Sequence, residues 1–176
     1  MTRAGIGIAI GLCLASAVGS AAVAPSPVAA LAGQYSRHFQ NQLVSGEAFF
    51  SDDIVEIVEI DPGHAYVNFD LNFYNGHTCG LYGIAAVDGG ALVYREPADK
   101  TLPGQERCTL TIRRKGSRLT WDDGGTCQAY CGARGSFGDG DIAWSSKRRI
   151  SYIARLKSSS EYKQALAEWH TEHAQR

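Results

Sequence analysis

The stretch HAYVNFDLNFYNGHTCGLYGIAAVDGGALVY, residues 64–94, decides the fold of this chain. From Ala65 to Phe73, apolar residues occupy every second position, and polar residues or tyrosine lie between them. This period of two indicates a β-strand with one buried face. Two turn dipeptides, Asn75-Gly76 and Asp88-Gly89, separate this strand from two further apolar runs. Both dipeptides are typical of two-residue type I′ turns, so the stretch predicts three antiparallel strands joined by hairpins.

The two predicted turns also determine which residues face each other across the hairpins. A two-residue turn at Asn75-Gly76 places Phe69 opposite Tyr82, and one at Asp88-Gly89 places Ile84 opposite Val93. One face of the three strands is then strongly apolar, and we predict that it forms the core. Its members are Val67, Phe69, Leu71, Tyr82, Ile84 and Val93.

The other face of these strands is also too apolar to be wholly solvated. It carries Leu81, Ala85 and Leu92. On this face Gly83 lies opposite Tyr94, whose ring can cover the bare glycine backbone. A C-terminal helix over residues 158–173, with Ser158 as its N-cap and Glu161 completing a capping box, is predicted to pack on the sheet and cover this face.

Further runs with strand character lie on both sides of the opening stretch. Strands are predicted at residues 33–40, 53–60, 107–113 and 117–121, and a last one within residues 149–156. The fold class is therefore mainly β: an up-and-down β-barrel or strongly curved sheet of about eight strands over residues 33–157, followed by the helix. A barrel of about eight strands either fills its interior with side chains or holds one small ligand.

Residues 1–22 have the order of a secretory signal peptide. Arg3 supplies a positive start, residues 4–18 form an uncharged run, and Ser20-Ala21-Ala22 offers small residues for cleavage. A transmembrane anchor and a lipoprotein modified at Cys13 are the alternatives, but the apolar run is shorter than the ~20 residues of a span, and Leu12 precedes the cysteine. Residues 23–32 then form a short leader, and the mature chain is expected to be periplasmic or secreted, with no membrane span.

Four of the five cysteines lie beyond the signal peptide. An even number in an exported chain predicts two disulfides among Cys79, Cys108, Cys127 and Cys131, with three possible pairings. A zinc site is the alternative, but the Cys-x3-Cys spacing is unusual for zinc. In the predicted barrel all four cysteines gather at one end.

The composition and motifs exclude several classes of function. A formal net charge of -1 lacks the basic footprint of a nucleic-acid-binding protein. The chain contains no Gly-x-Ser-x-Gly elbow, no His-Glu-x-x-His motif and no phosphate-binding glycine loop. Oxidised cysteines are not nucleophiles, and the Asp-Gly loops lack the spacing of calcium sites. No catalytic residue, metal or cofactor is therefore predicted.

Two residues near the cysteines are candidates for ligand binding. His77 follows the Asn75-Gly76 turn and precedes Cys79 by two residues; the alternative is a strand histidine bonded to a loop carbonyl. Arg134 lies in the segment CQAYCGARG, residues 127–135, whose successive N–H groups are able to form an anion-binding nest. The alternative there is a tight corner in which the glycines permit positive φ.

The chain also resembles known proteins. The segments NGHTC (75–79), GIAAV (83–87), CTLTI (108–112) and CQAYCGARG (127–135) resemble a group of small, uncharacterised exported proteins of the bacterial periplasm, over residues 33–169. A second resemblance is to periplasmic C-type lysozyme inhibitors, which insert a Ser-Gly-x-x-Tyr loop into the lysozyme cleft. Here Ser45-Gly46-Glu47-Ala48-Phe49 is similar to that loop, with phenylalanine in place of tyrosine.

Together these patterns predict an exported, non-catalytic binding protein of the periplasm. Its partner is expected to be a small apolar or amphiphilic ligand, or an envelope protein, bound at the barrel mouth or on the covered face. One alternative is a lysozyme-type enzyme inhibitor that acts through the Ser45 to Phe49 loop. Another is a small hydrolase whose site is assembled only in the fold.

Overall fold

A computed structural model describes Met1, residues 26–101 and residues 103–174. The predicted signal peptide beyond Met1 and the first residues of the predicted leader lie outside this part. The helices are α1 (Pro27–Leu31), α2 (Ile153–Ser158) and α3 (Ser160–Ala174). The strands are β1 (Gly33–Gln42), β2 (Ala48–Asp61), β3 (His64–Asn72), β4 (Thr78–Asp88), β5 (Ala91–Arg95), β6 (Thr109–Lys115), β7 (Arg118–Asp122) and β8 (Gly140–Ala143). Within the described residues, no helix has the length and apolar character needed to cross a membrane.

Each strand pairs antiparallel with the next strand along the chain, in the order β1 to β8. The sheet curls until its two edges approach, and the segment after β8 meets the first strand. There the Gln34 N–H donates to the Arg148 carbonyl at 2.9 Å, and the Arg148 N–H donates back to the Gln34 carbonyl at 2.8 Å. The prediction of an eight-stranded antiparallel barrel or curved sheet with a C-terminal helix is confirmed.

The interior of the barrel is packed with the protein's own side chains. One hydrophobic cluster includes inward residues from all eight strands. At its centre the Phe69 ring meets the edges of Trp121 and Phe137, with ring centroids 5.2 and 5.8 Å apart. Phe69, Phe137 and Tyr35 are each no more than 1% exposed. Of the two expectations for a barrel of this size, the structure therefore has the filled interior.

The turn between β3 and β4 is longer than the sequence predicts. The Phe73 N–H donates to the His77 carbonyl at 2.7 Å, so three residues, Tyr74, Asn75 and Gly76, form the loop. Asn75 and Gly76 both have positive φ, 61° and 71°. Phe69 consequently pairs with Leu81 rather than with Tyr82, and the predicted register is wrong by one residue.

A register shift of one residue exchanges the two faces of a strand. Leu81 and Ala85 therefore point into the barrel, where they are 1% and 0% exposed, whereas Tyr82 and Ile84 lie on the outside. The predicted core face is thus correct for β3 and wrong for β4. It is also wrong for β5, where Leu92 and not Val93 belongs to the interior cluster.

The second hairpin turn also differs from the prediction, but without consequence for the faces. Gly89 and Gly90, with φ of 55° and 79°, form the two-residue loop, and Ala86 pairs with Val93. Because the shift is two residues, Ile84 and Val93 still share a face.

Gly83 lies diagonal to Tyr94 rather than opposite it. The Tyr94 ring nevertheless covers the glycine as expected, since a Cβ at position 83 would lie 2.2 Å from a ring carbon.

The last strand lies earlier in the chain than predicted. It is β8, at Gly140–Ala143, and the region 149–156 instead enters α2. Ile150, Ile153 and Leu156 recur every three residues, which is a helical rather than a strand spacing. The other strands that the sequence predicts are confirmed, including β1, although β1 and β2 extend further than expected.

Helix α3 covers the outer face of the sheet near β4, but it starts differently from the prediction. The Ser159 hydroxyl accepts the Tyr162 N–H at 3.2 Å, whereas Ser158 ends α2 and bonds the Arg155 carbonyl. The predicted capping box at Ser158 is therefore wrong.

The helix packs on the sheet through a second hydrophobic cluster, formed by Val58, Tyr66, Ile150, Leu156, Tyr162 and Ala165. It therefore covers the Tyr82 face, which we had predicted to be the core.

Two disulfides join the four described cysteines, as predicted, and the structure selects the pairing. Cys79 pairs with Cys131, and Cys108 pairs with Cys127. Strands β4 and β6 run in the same direction and start at the same end of the barrel, so both bridges lie there. Each bridge restricts the unfolded chain and stabilises the fold by about 2–4 kcal/mol.

Candidate functional site

The end of the barrel that carries the disulfides also carries most of the sequence-predicted binding residues. We call it the loop end. The β1–β2 turn (residues 43–47), the β3–β4 turn (residues 73–77), and the loops over residues 96–108 and 123–139 all lie there. Ser45 is exposed on the first turn, His77 is half-buried on the second, and Arg134 is exposed on the last loop. Phe49 is half-buried in β2 opposite Asn41.

The β1–β2 turn is closed by its own backbone. The Leu43 N–H donates to the Glu47 carbonyl, and the Gly46 N–H donates to the Leu43 carbonyl, both at 2.9 Å. Gly46 has φ of 89°, a conformation that favours glycine. The Gln42 amide adds a bond from its Nε2 to the Gly46 carbonyl at 3.0 Å. These bonds hold Ser45 at the apex of a tight turn.

Hydrogen bonds connect this turn to the neighbouring β3–β4 turn. The Val44 N–H donates to Asn75 Oδ1 at 3.1 Å, and the Tyr74 hydroxyl donates to the Leu43 carbonyl at 3.5 Å. Below them, Asn41 Nδ2 donates to the Phe73 carbonyl at 2.8 Å. The two turns thus form one cross-linked unit, which we call the paired tips (residues 43–47 and 73–77).

Exposed apolar side chains lie on the paired tips and on the adjoining start of β2. Val44 and Phe50 are each 67% exposed, and Tyr74 is 44% exposed. Apart from Met1, these are the large hydrophobic side chains that are strongly exposed among the described residues. Because single exposed apolar residues are common but clustered ones mark interaction sites, the paired tips are the candidate functional site.

Two polar side chains beside the paired tips orient the aromatic ring of Phe50. The His38 ring stacks on Phe50 with centroids 4.9 Å apart and an interplanar angle of 10°. His38 Nδ1 in turn lies 2.8 Å from Asp52 Oδ1. These contacts orient Phe50 although its ring is exposed.

A buried carboxylate supports the same strands from the inner face. Asp53 is 2% exposed, forms an ion pair with Arg37 and accepts the Asn72 N–H at 2.8 Å. Burial, together with the charge of Asp53, raises the pKa of the nearby Asp70. The Asp53 contacts tie β1, β2 and the end of β3 together beneath the paired tips.

The segment around Arg134 forms a tight corner against the Cys79–Cys131 disulfide. The Gly132 N–H donates to the Thr78 carbonyl at 2.8 Å, and the Gly135 N–H donates to the Gly132 carbonyl at 2.9 Å. Neither glycine has positive φ. A Cβ at Gly135 would lie 2.6 Å from Cys79 Sγ, so the glycine permits close packing on the disulfide. The N–H groups of Gly132 and Gly135 thus already have backbone acceptors, and the anion nest at Arg134 stays a prediction.

A buried network around Glu96 holds the two remaining loops of the loop end together. Glu96 accepts hydrogen bonds from the Tyr130 hydroxyl at 2.6 Å and from the Thr101 hydroxyl at 3.0 Å. Burial raises the pKa of Tyr130, and the bond to Glu96 raises it further. Burial also raises the pKa of the neighbouring Tyr94 to about 12. The phenols remain protonated donors, so this network is structural.

A histidine–carboxylate pair lies at the opposite end of the barrel. His64 Nδ1 is 2.9 and 3.0 Å from the two carboxylate oxygens of Asp61, and its ring packs against Trp169 at 4.9 Å. Burial acts to raise the pKa of Asp61, but bonds from the Gly63 N–H and the His64 ring lower it overall. This geometry orients an imidazole, and the hydrolase alternative stays a prediction. No group of three metal-binding side chains occurs among the described residues.

Sequence reasoning placed Ser45 and Phe49 at the site but missed Val44, Phe50 and Tyr74. The signal for Phe50 was its position next to Phe49, since adjacent strand residues point to opposite faces. The inner ring, Phe49, is half-buried, and the outer ring, Phe50, is exposed.

The resemblances to periplasmic proteins and lysozyme inhibitors stay predictions. The chain matches no protein-family model, and neither a curated protein nor a solved structure matches it significantly.

Proposed function

We propose that this chain is an exported, non-catalytic binding protein that inserts its paired tips into a cleft of a protein partner. The observation that carries the proposal is that the exposed side chains of Val44 and Tyr74 lie on two turns that are hydrogen-bonded to each other, with exposed Phe50 in β2, three residues beyond the first turn. Aromatic anchors commonly dominate the binding energy of protein interfaces. A surface that is already rigid also loses little conformational entropy on binding.

Three features of the chain agree with this proposal. The barrel interior is occupied by side chains, which leaves the outside surfaces for recognition. The turns are convex and narrow, a shape that complements a cleft rather than a flat surface. The signal-like residues 1–22 and the two disulfides are typical of proteins that work outside the reducing cytoplasm, and the periplasm is the compartment we propose.

An enzyme inhibitor is the version of this function that one specific observation favours. Ser45 is exposed at the apex of the β1–β2 turn, the position that a cleft-blocking loop presents to an active site. The exposed aromatic ring beside it is Phe50, not the Phe49 of the sequence motif. A lysozyme-type enzyme, whose substrate cleft is long and open, is the partner class that we propose to test first.

The test uses the exported, oxidised protein in activity assays against a panel of lysozymes and in binding assays against the enzymes that respond. A tip variant, Val44→Ser/Phe50→Ser/Tyr74→Ser, removes the apolar anchors. A control variant, Lys115→Ser/Lys157→Ser/Lys163→Ser, changes three exposed residues away from the tips. We expect stoichiometric binding that falls at least about a hundredfold in the tip variant and is retained in the control.

Two results would contradict the proposal. Binding that survives in the tip variant would place the interface elsewhere on the molecule. The second result is a protein that binds the enzyme without inhibiting it, and whose affinity does not change when the bulky Ser45→Trp substitution is made at the apex. This result would support the binding function but reject the inhibitor version. Thermal unfolding of each variant establishes that a loss of binding is not a loss of fold.

A further inference from the structure

A groove lies at the end of the barrel opposite to the loop end. It has a volume of about 530 Å³, within the range of small-molecule sites. Its walls come from the start of β1, the last part of β2, and the segment that leads from β8 into α2. Its apolar lining consists of Ala32, Ile57, Val58, Ile150 and Ile153. Ala32 and Ile153 are the partly exposed members, whereas Ile57, Val58 and Ile150 are buried beneath them in the core clusters.

The groove is formed where the barrel closes. The backbone bonds between Gln34 and Arg148 bring the segment 147–150 against β1. Gly33, with φ of 150°, lets the Lys147 side chain cross directly over the backbone, since a Cβ there would lie 2.9 Å from Lys147 Cε. The groove is therefore part of the framework of the fold, and it does not depend on a mobile loop.

Three consecutive cationic residues, Lys147, Arg148 and Arg149, line this apolar groove. None of them takes part in an ion pair among the described residues. Lys147 donates to the Ala30 carbonyl at 2.6 Å, and Arg148 donates to the Ser145 and Lys147 carbonyls at 2.8 Å, so their acceptors are neutral. Glu59 is the one acidic residue in the described lining.

An apolar wall and a rim of three cations against one carboxylate together define the chemistry of the occupant. A hydrocarbon chain gains free energy on burial against the partly exposed side chains of Ala32 and Ile153. A carboxylate at its end gains charge-assisted hydrogen bonds from the guanidinium groups. We propose that this groove binds a single-chain anionic amphiphile of the fatty-acid class, with its carboxylate at Arg148 and Arg149 and its chain over Ala32 and Ile153.

This site is independent of the paired tips, because the two lie at opposite ends of the barrel. The test is a fluorescence titration of the exported, oxidised protein with a dansylated undecanoic acid. A dansylated undecylamine has the same chain with the opposite head charge and serves as the comparison probe. We expect saturable, stoichiometric binding of the acid that is at least about tenfold tighter than binding of the amine.

Variants test the cationic rim. Arg148→Gln/Arg149→Gln is expected to weaken binding of the acid about tenfold, and Arg148→Lys/Arg149→Lys is expected to restore most of it. Arg155→Gln is the matched control, because Arg155 is an exposed cation of α2 that lies outside the lining of this groove. Thermal unfolding of each variant shows that the fold is intact. If the double glutamine variant does not fold, the single Arg149→Gln variant replaces it.

The proposal is overturned if the acid does not bind, if both probes bind equally, or if Arg155→Gln weakens binding as much as the double variant does. It is also overturned if the protein sediments with phosphatidylglycerol vesicles but does not bind the monomeric acid, since the basic residues would then recognise a membrane surface. The result of the tip-variant experiment tests the protein-binding function alone, and it does not affect the proposal for this groove.

Discussion

Asn75 Oδ1 accepts the backbone N–H of Val44 at 3.1 Å, and this bond ties the β3–β4 turn to the β1–β2 turn. Asn75 adopts a left-handed conformation, with φ of 61° and ψ of 32°. Asparagine tolerates this conformation better than most residues do. One residue therefore determines both the shape of its own turn and the position of the neighbouring turn.

Replacing Asn75 should separate these two roles. Asn75→Gly keeps the left-handed backbone but removes the bond, so we expect faster amide hydrogen exchange at Val44 with a stability change below about 1 kcal/mol. Asn75→Ala removes the bond and also strains the backbone, so we expect a further loss of about 1 kcal/mol. Exchange measured by NMR and urea unfolding check these outcomes. Unchanged protection of the Val44 amide in the glycine variant would show that the bond does not hold the tips together.

Gly83 should tolerate no side chain. A Cβ there would meet the Tyr94 ring at 2.2 Å, so Gly83→Ala is expected to cost about 1–3 kcal/mol through overpacking. Gly80→Ala is the control, because Gly80 lies in the same strand with nothing within 4 Å of a Cβ. Urea unfolding measures both variants. A double variant that also carries Tyr94→Val should show favourable coupling, and purely additive costs would argue against the contact.

The two disulfides should differ in their contributions to stability. The Cys79–Cys131 bridge spans 52 residues and the Cys108–Cys127 bridge spans 19. The chain-entropy relation then predicts contributions of about 4 and about 3 kcal/mol. Replacing each pair by alanine and comparing the free energies of unfolding tests the order. A larger loss from the 19-residue bridge would mean that native packing, rather than loop closure, governs the effect.

Asp61 should make stability depend on pH in the acid range. Its pKa is lowered in the folded state, overall, by the Gly63 N–H and the His64 ring, although burial opposes this. A depressed carboxyl pKa stabilises the fold above the unfolded value of about 3.9, and that stability is lost as the pH falls through the folded pKa.

The pH effect can be isolated with Asp61→Asn. Because Asp61 is 42% exposed, we expect the variant to lose less than about 1 kcal/mol at neutral pH. The difference from the parent protein should close below about pH 4. Thermal unfolding over about pH 3 to about pH 8 measures this, with the exposed Asp99→Asn as control. A difference that persists at low pH would mean that the carboxylate charge is not the cause.

Local patterns in the sequence predicted the elements of the fold well. Alternation from Ala65 to Phe73 gave the strand β3, and the turn dipeptides located both hairpins to within two residues. These patterns did not predict the register between β3 and β4. Tyr74 belongs to the loop, and this one additional loop residue exchanges the two faces of β4. Whether an Asn-Gly turn has two or three residues depends on the bond from Phe73 to His77, which no local pattern shows.

The candidate site was only partly predictable for the same reason. Ser45 was found through a motif, whereas Val44 and Tyr74 come together only when the β1–β2 and β3–β4 turns lie side by side. The cationic groove likewise requires the segment 147–150 to meet β1.

Seven of the eight strands, the two disulfides and the C-terminal helix follow from the sequence alone, because strand period, cysteine number and helical spacing are local properties of the chain. The position of the last strand, the cysteine pairing, the buried face of β4 and the set of exposed apolar residues follow from the folded chain. These depend on contacts between residues far apart in the chain, and a one-residue change in a single turn is enough to reverse them.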